Sequence, residues 1–165
     1  SLGCGPSMKT YKDQNNKYSI KYPSDWDVIP PTEEIGLTST FQGPIEEGYY
    51  INFRVFAQQV DKGLKLEDFY EEVESRNRIK IMAGYSSIKE EKITINKIEA
   101  IKHTFKIEQE KPSGEKLTLV VIICYLISND MGFSLMTEAP EKALPKYEKI
   151  FDRMFESFAP NLVVE

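Results

Sequence analysis

Apolar and polar residues alternate at the start of the chain: Tyr18, Ile20 and Tyr22 are separated by Ser19 and Lys21, the period-two pattern of a half-buried strand. Pro23 ends that strand. Ser24-Asp25-Trp26 reads as a turn that tucks the indole against the sheet edge, and Pro30-Pro31 breaks the chain again. A second strand is expected over roughly Leu37 to Phe41. In a third, Ile51, Phe53, Val55 and Ala57 share one face, with Asn52 and Arg54 on the other. The pattern then changes period. Leu66, Phe69, Tyr70 and Val73 recur at helical spacing, with Glu67, Asp68, Glu71, Glu72 and Glu74 assigned to other faces and the early acids complementing the helix dipole.

Strands return from Ser87 to Ile95 and from Glu99 to Gln109, on either side of Asn96-Lys97, a tight-turn signal because Asn tolerates the left-handed region. Pro112-Ser113-Gly114 marks the next hairpin loop. The segment Leu117 to Ser128 is apolar on both faces, as a central strand covered on both sides would be. Asn129-Asp130-Met131-Gly132 turns into a last strand, Phe133 to Thr137. Tyr147, Ile150, Phe151, Met154 and Phe158 then mark a closing amphipathic helix with Pro145 in its first turn. Strands, a helix, a four-strand meander and a second helix predict an α+β fold, an α-β-α sandwich around a mostly antiparallel central sheet. The expected organisation is a polar N-terminal tether over 1–16, a single domain over 17–160 and a short tail over 161–165.

The length of 165 residues fits one domain, monomeric in expectation, and 41% hydrophobic residues can fill its core. The formal net charge of −5 changes the list of partners. Phosphate-backbone binding draws on clustered Lys and Arg, whereas bases here alternate with acids, as in Lys89-Glu90-Glu91-Lys92, so nucleic acid is excluded as a partner. The longest apolar run, Leu119 to Ile127, falls short of the ~20 residues a bilayer-spanning helix needs.

The two cysteines have different surroundings. Cys124 lies in Val120-Val121-Ile122-Ile123-Cys124-Tyr125-Leu126 and reads as inert core. Cys4 follows Ser1-Leu2-Gly3, and small residues before a near-terminal Cys resemble the bacterial lipobox, whose Cys becomes a lipidated N-terminus. That motif favours Leu three residues before the Cys, where this chain has Ser1. A lipid anchor on Cys4, following a cleaved signal peptide, is favoured over an idle thiol on a polar tail, which would be a liability in an oxidising compartment. A disulfide from Cys4 to Cys124 would block that modification.

Catalytic motifs are scarce. His103 is the only imidazole and shares a strand face with Ile101, Phe105 and Ile107, so it reads as a core or edge histidine. No nucleophile elbow, P-loop or dinucleotide-binding glycine pattern occurs, and no enzyme is expected. The doublets Glu33-Glu34, Glu46-Glu47 and Glu90-Glu91 read as solvated surface. A hydrolase would need two acids converging in a cleft. Asp13-Gln14-Asn15-Asn16 lacks the glycine and distal Glu of an EF-hand loop. No cofactor or dedicated metal site is expected, although the acidic clusters leave room for weak divalent-cation binding.

Tyr18-Ser19-Ile20-Lys21-Tyr22-Pro23-Ser24-Asp25-Trp26 resembles the opening strand and turn of the PsbP-like family, and Tyr147 to Phe158, closing on Ser157-Phe158, is similar to its last helix. The resemblance implies the α-β-α sandwich, a fold also used by a eukaryotic Ran-binding nuclear import factor, and prokaryotic relatives that are often lipoproteins. Plant members dock on photosystem II through a long N-terminal arm, whereas here Asn16 nearly abuts the first expected strand, so that role is not carried over. The expected function is a non-enzymatic accessory domain, lipid-anchored in the cell envelope and acting on a membrane protein or complex. The alternative is a small-ligand binder with a pocket between sheet and helix, lined by Trp26, Tyr49 or Tyr50.

Overall fold

The computed structural model describes residues 5–160. Ten strands and two helices follow one another: β1 (Met8–Asp13), β2 (Tyr18–Pro23), β3 (Asp27–Ile29), β4 (Leu37–Glu46), β5 (Tyr49–Gln59), α1 (Leu66–Arg76), β6 (Ser86–Ile95), β7 (Ile98–Glu110), β8 (Lys116–Ser128), β9 (Met131–Pro140), α2 (Leu144–Ser157) and β10 (Ala159–Pro160). A single 3-10 turn, Ile79–Ile81, follows α1. Seven strands form the main sheet in the order β3-β4-β5-β9-β8-β7-β6, and every pairing in it is antiparallel. The α+β sandwich expected from the periodicities is the fold observed.

Three hairpins, β4–β5, β6–β7 and β8–β9, are set by left-handed residue pairs. Asn96 and Lys97 both have positive φ, as do Asn129 and Asp130, and Glu47 is followed by Gly48 at φ 77°. Such pairs match the right-handed twist of the flanking strands, which makes two-residue connections possible. From β5 the chain crosses one face of the sheet through α1, enters the far edge as β6, and returns by the meander β6-β7-β8-β9 to close beside β5.

β8 sits inside this meander and is buried on both faces. Val120, Ile122, Cys124 and Leu126 join a cluster with Phe53, Val55, Leu135 and the α2 residues Phe151, Met154 and Phe155. Val121, Ile123 and Tyr125 join a smaller cluster with Phe69 and Val73 of α1 and Ile79. Each fully buried large aliphatic or aromatic side chain contributes up to roughly 1.5–3 kcal/mol.

Three departures from the sequence reading have tertiary causes. The segment expected to be a tether contains β1, which pairs along all of β2; Met8 and Tyr11 pack on the larger core, with the Tyr11 ring 5.4 Å from Phe41. Trp26 is core rather than edge, its indole 6.5 Å from the Phe151 ring of α2. Glu74 is buried, whereas its acidic neighbours on α1 are mostly exposed. Cys4 and the expected tail 161–165 lie outside the described residues.

Gly132 permits the close approach of α1 to β9: a Cβ there would stand 2.6 Å from the Phe69 ring. Gly132→Ala is expected to lower stability by about 1–3 kcal/mol through overpacking, read as a fall in the denaturant midpoint with unchanged slope.

Candidate functional site

Helix α1 and the Ile79–Ile81 turn cover only part of their face of the sheet. Between them and the strands lies a cavity of about 790 Å³, a size suited to a drug-sized ligand. Its floor is apolar: Phe56 of β5, Ile107 of β7, Val121 and Ile123 of β8 and Met136 of β9. Strand alternation explains this floor, because the residues facing away from α2 still face inward on a sheet covered twice. Two apolar residues at its margin are turned to solvent, Ile35 at 97% exposure and Met82 at 39%, with Ile81 beside the latter at 68%. Exposed apolar side chains grouped at an apolar cavity are a feature that ligand and protein interaction sites share.

One end of the cavity is polar. The Arg54 guanidinium lies 3.4 Å from Glu34 and 3.6 Å from Glu138 and 5.6 Å from the centre of the Phe56 ring. Tyr49 donates a hydrogen bond to Glu138, and burial, then the Glu138 charge, raises the phenol's pKa. Among the described residues, the buried Arg54 Nε has no hydrogen-bond partner. Arg76 donates to Gln58 at 2.7 Å along another margin.

Of the three aromatics expected to line a pocket, Tyr49 therefore meets the cavity through Glu138. Tyr50 is half exposed, and Trp26 is in the core beside α2; neither lines this cavity. The paired acids are dispersed as well. Glu34 faces Arg54, Glu46 accepts from Lys146 and Tyr147, and Glu91 lies 3.2 Å from Lys89. The Lys146 hydrogen bond and then that of Tyr147 hold the Glu46 carboxyl below its ordinary pKa.

A second polar group lies behind the cavity wall. His103 is fully buried on β7, and its Nδ1 is 2.8 Å from Glu74 Oε1. The Tyr125 hydroxyl donates to Glu74 Oε2 at 2.6 Å. In the tautomer whose Nδ1–H donates to Glu74, Nε2 is an acceptor. The Ser87 hydroxyl lies 3.2 Å from Nε2 and that of Tyr85 3.5 Å away. Glu90, half exposed on edge strand β6, comes within 3.8 Å of Nε2 and accepts from Tyr70. Burial pushes the Tyr125 phenol well above its ordinary pKa, and the Glu74 charge adds to this. Two signals for this cluster were present in the sequence. Glu74 falls four residues after Tyr70, on the same helix face, and register counted back from Asn96-Lys97 places Glu90 opposite His103.

The PsbP family model matches residues 6–160. At the level of sequence alone, no curated protein matches the chain. Cyanobacterial PsbP from Synechocystis sp. PCC 6803 superposes with a TM-score of 0.68 at 16% identity, over 96% of this chain and 98% of that one. LpqN, involved in cell envelope biogenesis of Mycobacterium tuberculosis, gives 0.61 at 11% identity, over 96% and 86% of the two chains. The Ran-binding protein Mog1p of Saccharomyces cerevisiae gives 0.63 at 9%, over 95% and 97%. At these identities the likeness is one of fold.

Two outcomes are expected. Tyr125→Phe leaves a buried Glu74 oxygen without its donor and lowers stability by about 1.5–3 kcal/mol, measured by equilibrium denaturation. Burial pushes the Cys124 thiol up to about 12, so it stays protonated and inert. In a Cys4→Ser chain, iodoacetamide should label Cys124 only after denaturation, as read by mass spectrometry.

Proposed function

This chain belongs to the PsbP family, and on that premise we propose that it is a non-catalytic binding domain of the cell envelope whose cavity between the sheet and α1 takes an apolar ligand. The cavity carries the reading: about 790 Å³, floored by aliphatic and aromatic side chains and edged by the exposed Ile35 and Met82. An apolar floor supplies affinity by removing ligand surface from water, and the Arg54 end supplies orientation. Family membership and the fold shared with LpqN support the envelope setting.

The Cys4 lipid would hold the domain at a membrane, where apolar molecules are concentrated, and makes a membrane protein or complex the natural recipient. Binding without chemistry fits the state of the acids at the cavity, since Glu34 and Glu138 are both held by Arg54. The exposed Ile35, Ile81 and Met82 also suit contact with an apolar surface of the recipient.

Anilinonaphthalene sulfonate, an apolar fluorophore with one anionic group, tests the cavity in the purified chain. Saturable one-to-one binding is expected while near-UV circular dichroism shows intact tertiary packing, which separates it from dye uptake by a loosened core. Changing Ile35→Asp together with Met82→Asp should weaken binding roughly ten-fold or more, by removing apolar contact area at the margin. Absent binding, or binding indifferent to the two substitutions, would sink the cavity reading.

A further inference from the structure

The Glu74–His103–Glu90 cluster has a geometry that a buried hydrogen-bonded pair does not require. One ligand atom from each residue lies within 4.8 Å of the other two. Glu74 engages Nδ1, which orients the ring, and Glu90 Oε1 lies 3.8 Å from Nε2. A carboxylate on one imidazole nitrogen with the other nitrogen directed at a second acid is the arrangement that fixes a histidine as a metal ligand. For metal bonds of about 2.0–2.2 Å at a tetrahedral angle, two ligand atoms stand roughly 3.4 Å apart. Nε2 and Glu90 Oε1 are 3.8 Å apart, so a small closure of the half-exposed Glu90 side chain brings both into range.

Charge points the same way. Two carboxylates face one imidazole, and among the described residues neither has a Lys or Arg in ion-pair contact; the flanking Lys89 and Lys92 are taken by Glu91 and by Glu67. The cluster therefore lacks positive charge where its only nitrogen ligand points, and a divalent cation would supply it. A nitrogen ligand beside carboxylate and hydroxyl oxygens suits zinc and its neighbours better than calcium or magnesium, which take oxygen alone.

We propose that His103 Nε2 and the Glu90 carboxylate coordinate a zinc-class divalent cation at the β6 edge, with Glu74 as the positioning residue on Nδ1. The Ser87 and Tyr85 hydroxyls stand within 3.5 Å of Nε2 as neighbouring oxygen donors, and half-exposed Glu90 opens the site to solvent. The site would clamp the β6–β7 hairpin to α1, and it stands independently of the cavity reading.

The chain has a single histidine, so imidazole nitrogen NMR reports on His103 without assignment. The tag-free, chelator-treated full chain, titrated with zinc chloride, should bind one equivalent by calorimetry. The Nε2 resonance should shift while Nδ1 keeps its proton. Glu90→Gln, at a half-exposed position, should keep the fold and weaken zinc binding at least ~10-fold. Zinc uptake that leaves the imidazole unmoved would place the metal on surface carboxylates and overturn the proposal. Equal affinity in Glu90→Gln, or no saturable binding at millimolar zinc, would do the same. Should Glu90→Gln fail to fold, the imidazole readout in the unaltered chain decides alone.

Discussion

β8 is apolar on both faces, and a strand of that kind has no stable place except between two covering layers. Its central position follows from this, with β9 on one side, β7 on the other and an α-helical layer above and below. On one face α2 provides the cover together with the small sheet β1-β2-β10, and the larger core results. On the opposite face, among the described residues, the only α-helix is α1, eleven residues long, carried across as the connection from β5 to β6 and followed by the Ile79–Ile81 turn.

A helix of that length spans about 16 Å at 1.5 Å per residue, too little for a seven-stranded sheet whose strands are spaced about 4.8 Å apart. The shortfall is the cavity. Its floor is apolar because the β8 and β9 residues there belong to the same double-faced pattern that fills the core elsewhere. The function proposed for this domain thus comes from a mismatch in area between two layers, not from an added loop or motif. Gly132 and Phe69 fix how closely α1 sits against the strands beside the opening.

Covering the face also buries ionisable groups. A buried carboxyl needs hydrogen-bond partners, and among the described residues Glu74 has two, His103 and Tyr125, each from a different strand. The pair joins the helix to β7 and β8 at one point, behind the cavity wall that Tyr125 helps to form. Glu90 extends the polar chain to the open edge of β6, so the site proposed for a cation is reached from solvent although its imidazole is not.

Much of this was legible along the chain. Period-two runs located most strands of the main sheet, the double-faced run identified β8 as central, and Asn96-Lys97 set the β6–β7 register, because each rests on interactions between near neighbours. β1 was not legible: its burial pattern follows no two-residue period, and it becomes a strand only by pairing with β2 and setting Tyr11 against Phe41. Trp26 and Tyr50 were equally good candidates for a pocket as residue types, yet one faces α2 and the other solvent. The cavity and the Glu74–His103 contact were decided by how far α1 reaches across the sheet and where it crosses β7. The Glu74–His103 contact joins residues 29 positions apart, and both it and the cavity are set by packing, so the local pattern carries no term for them.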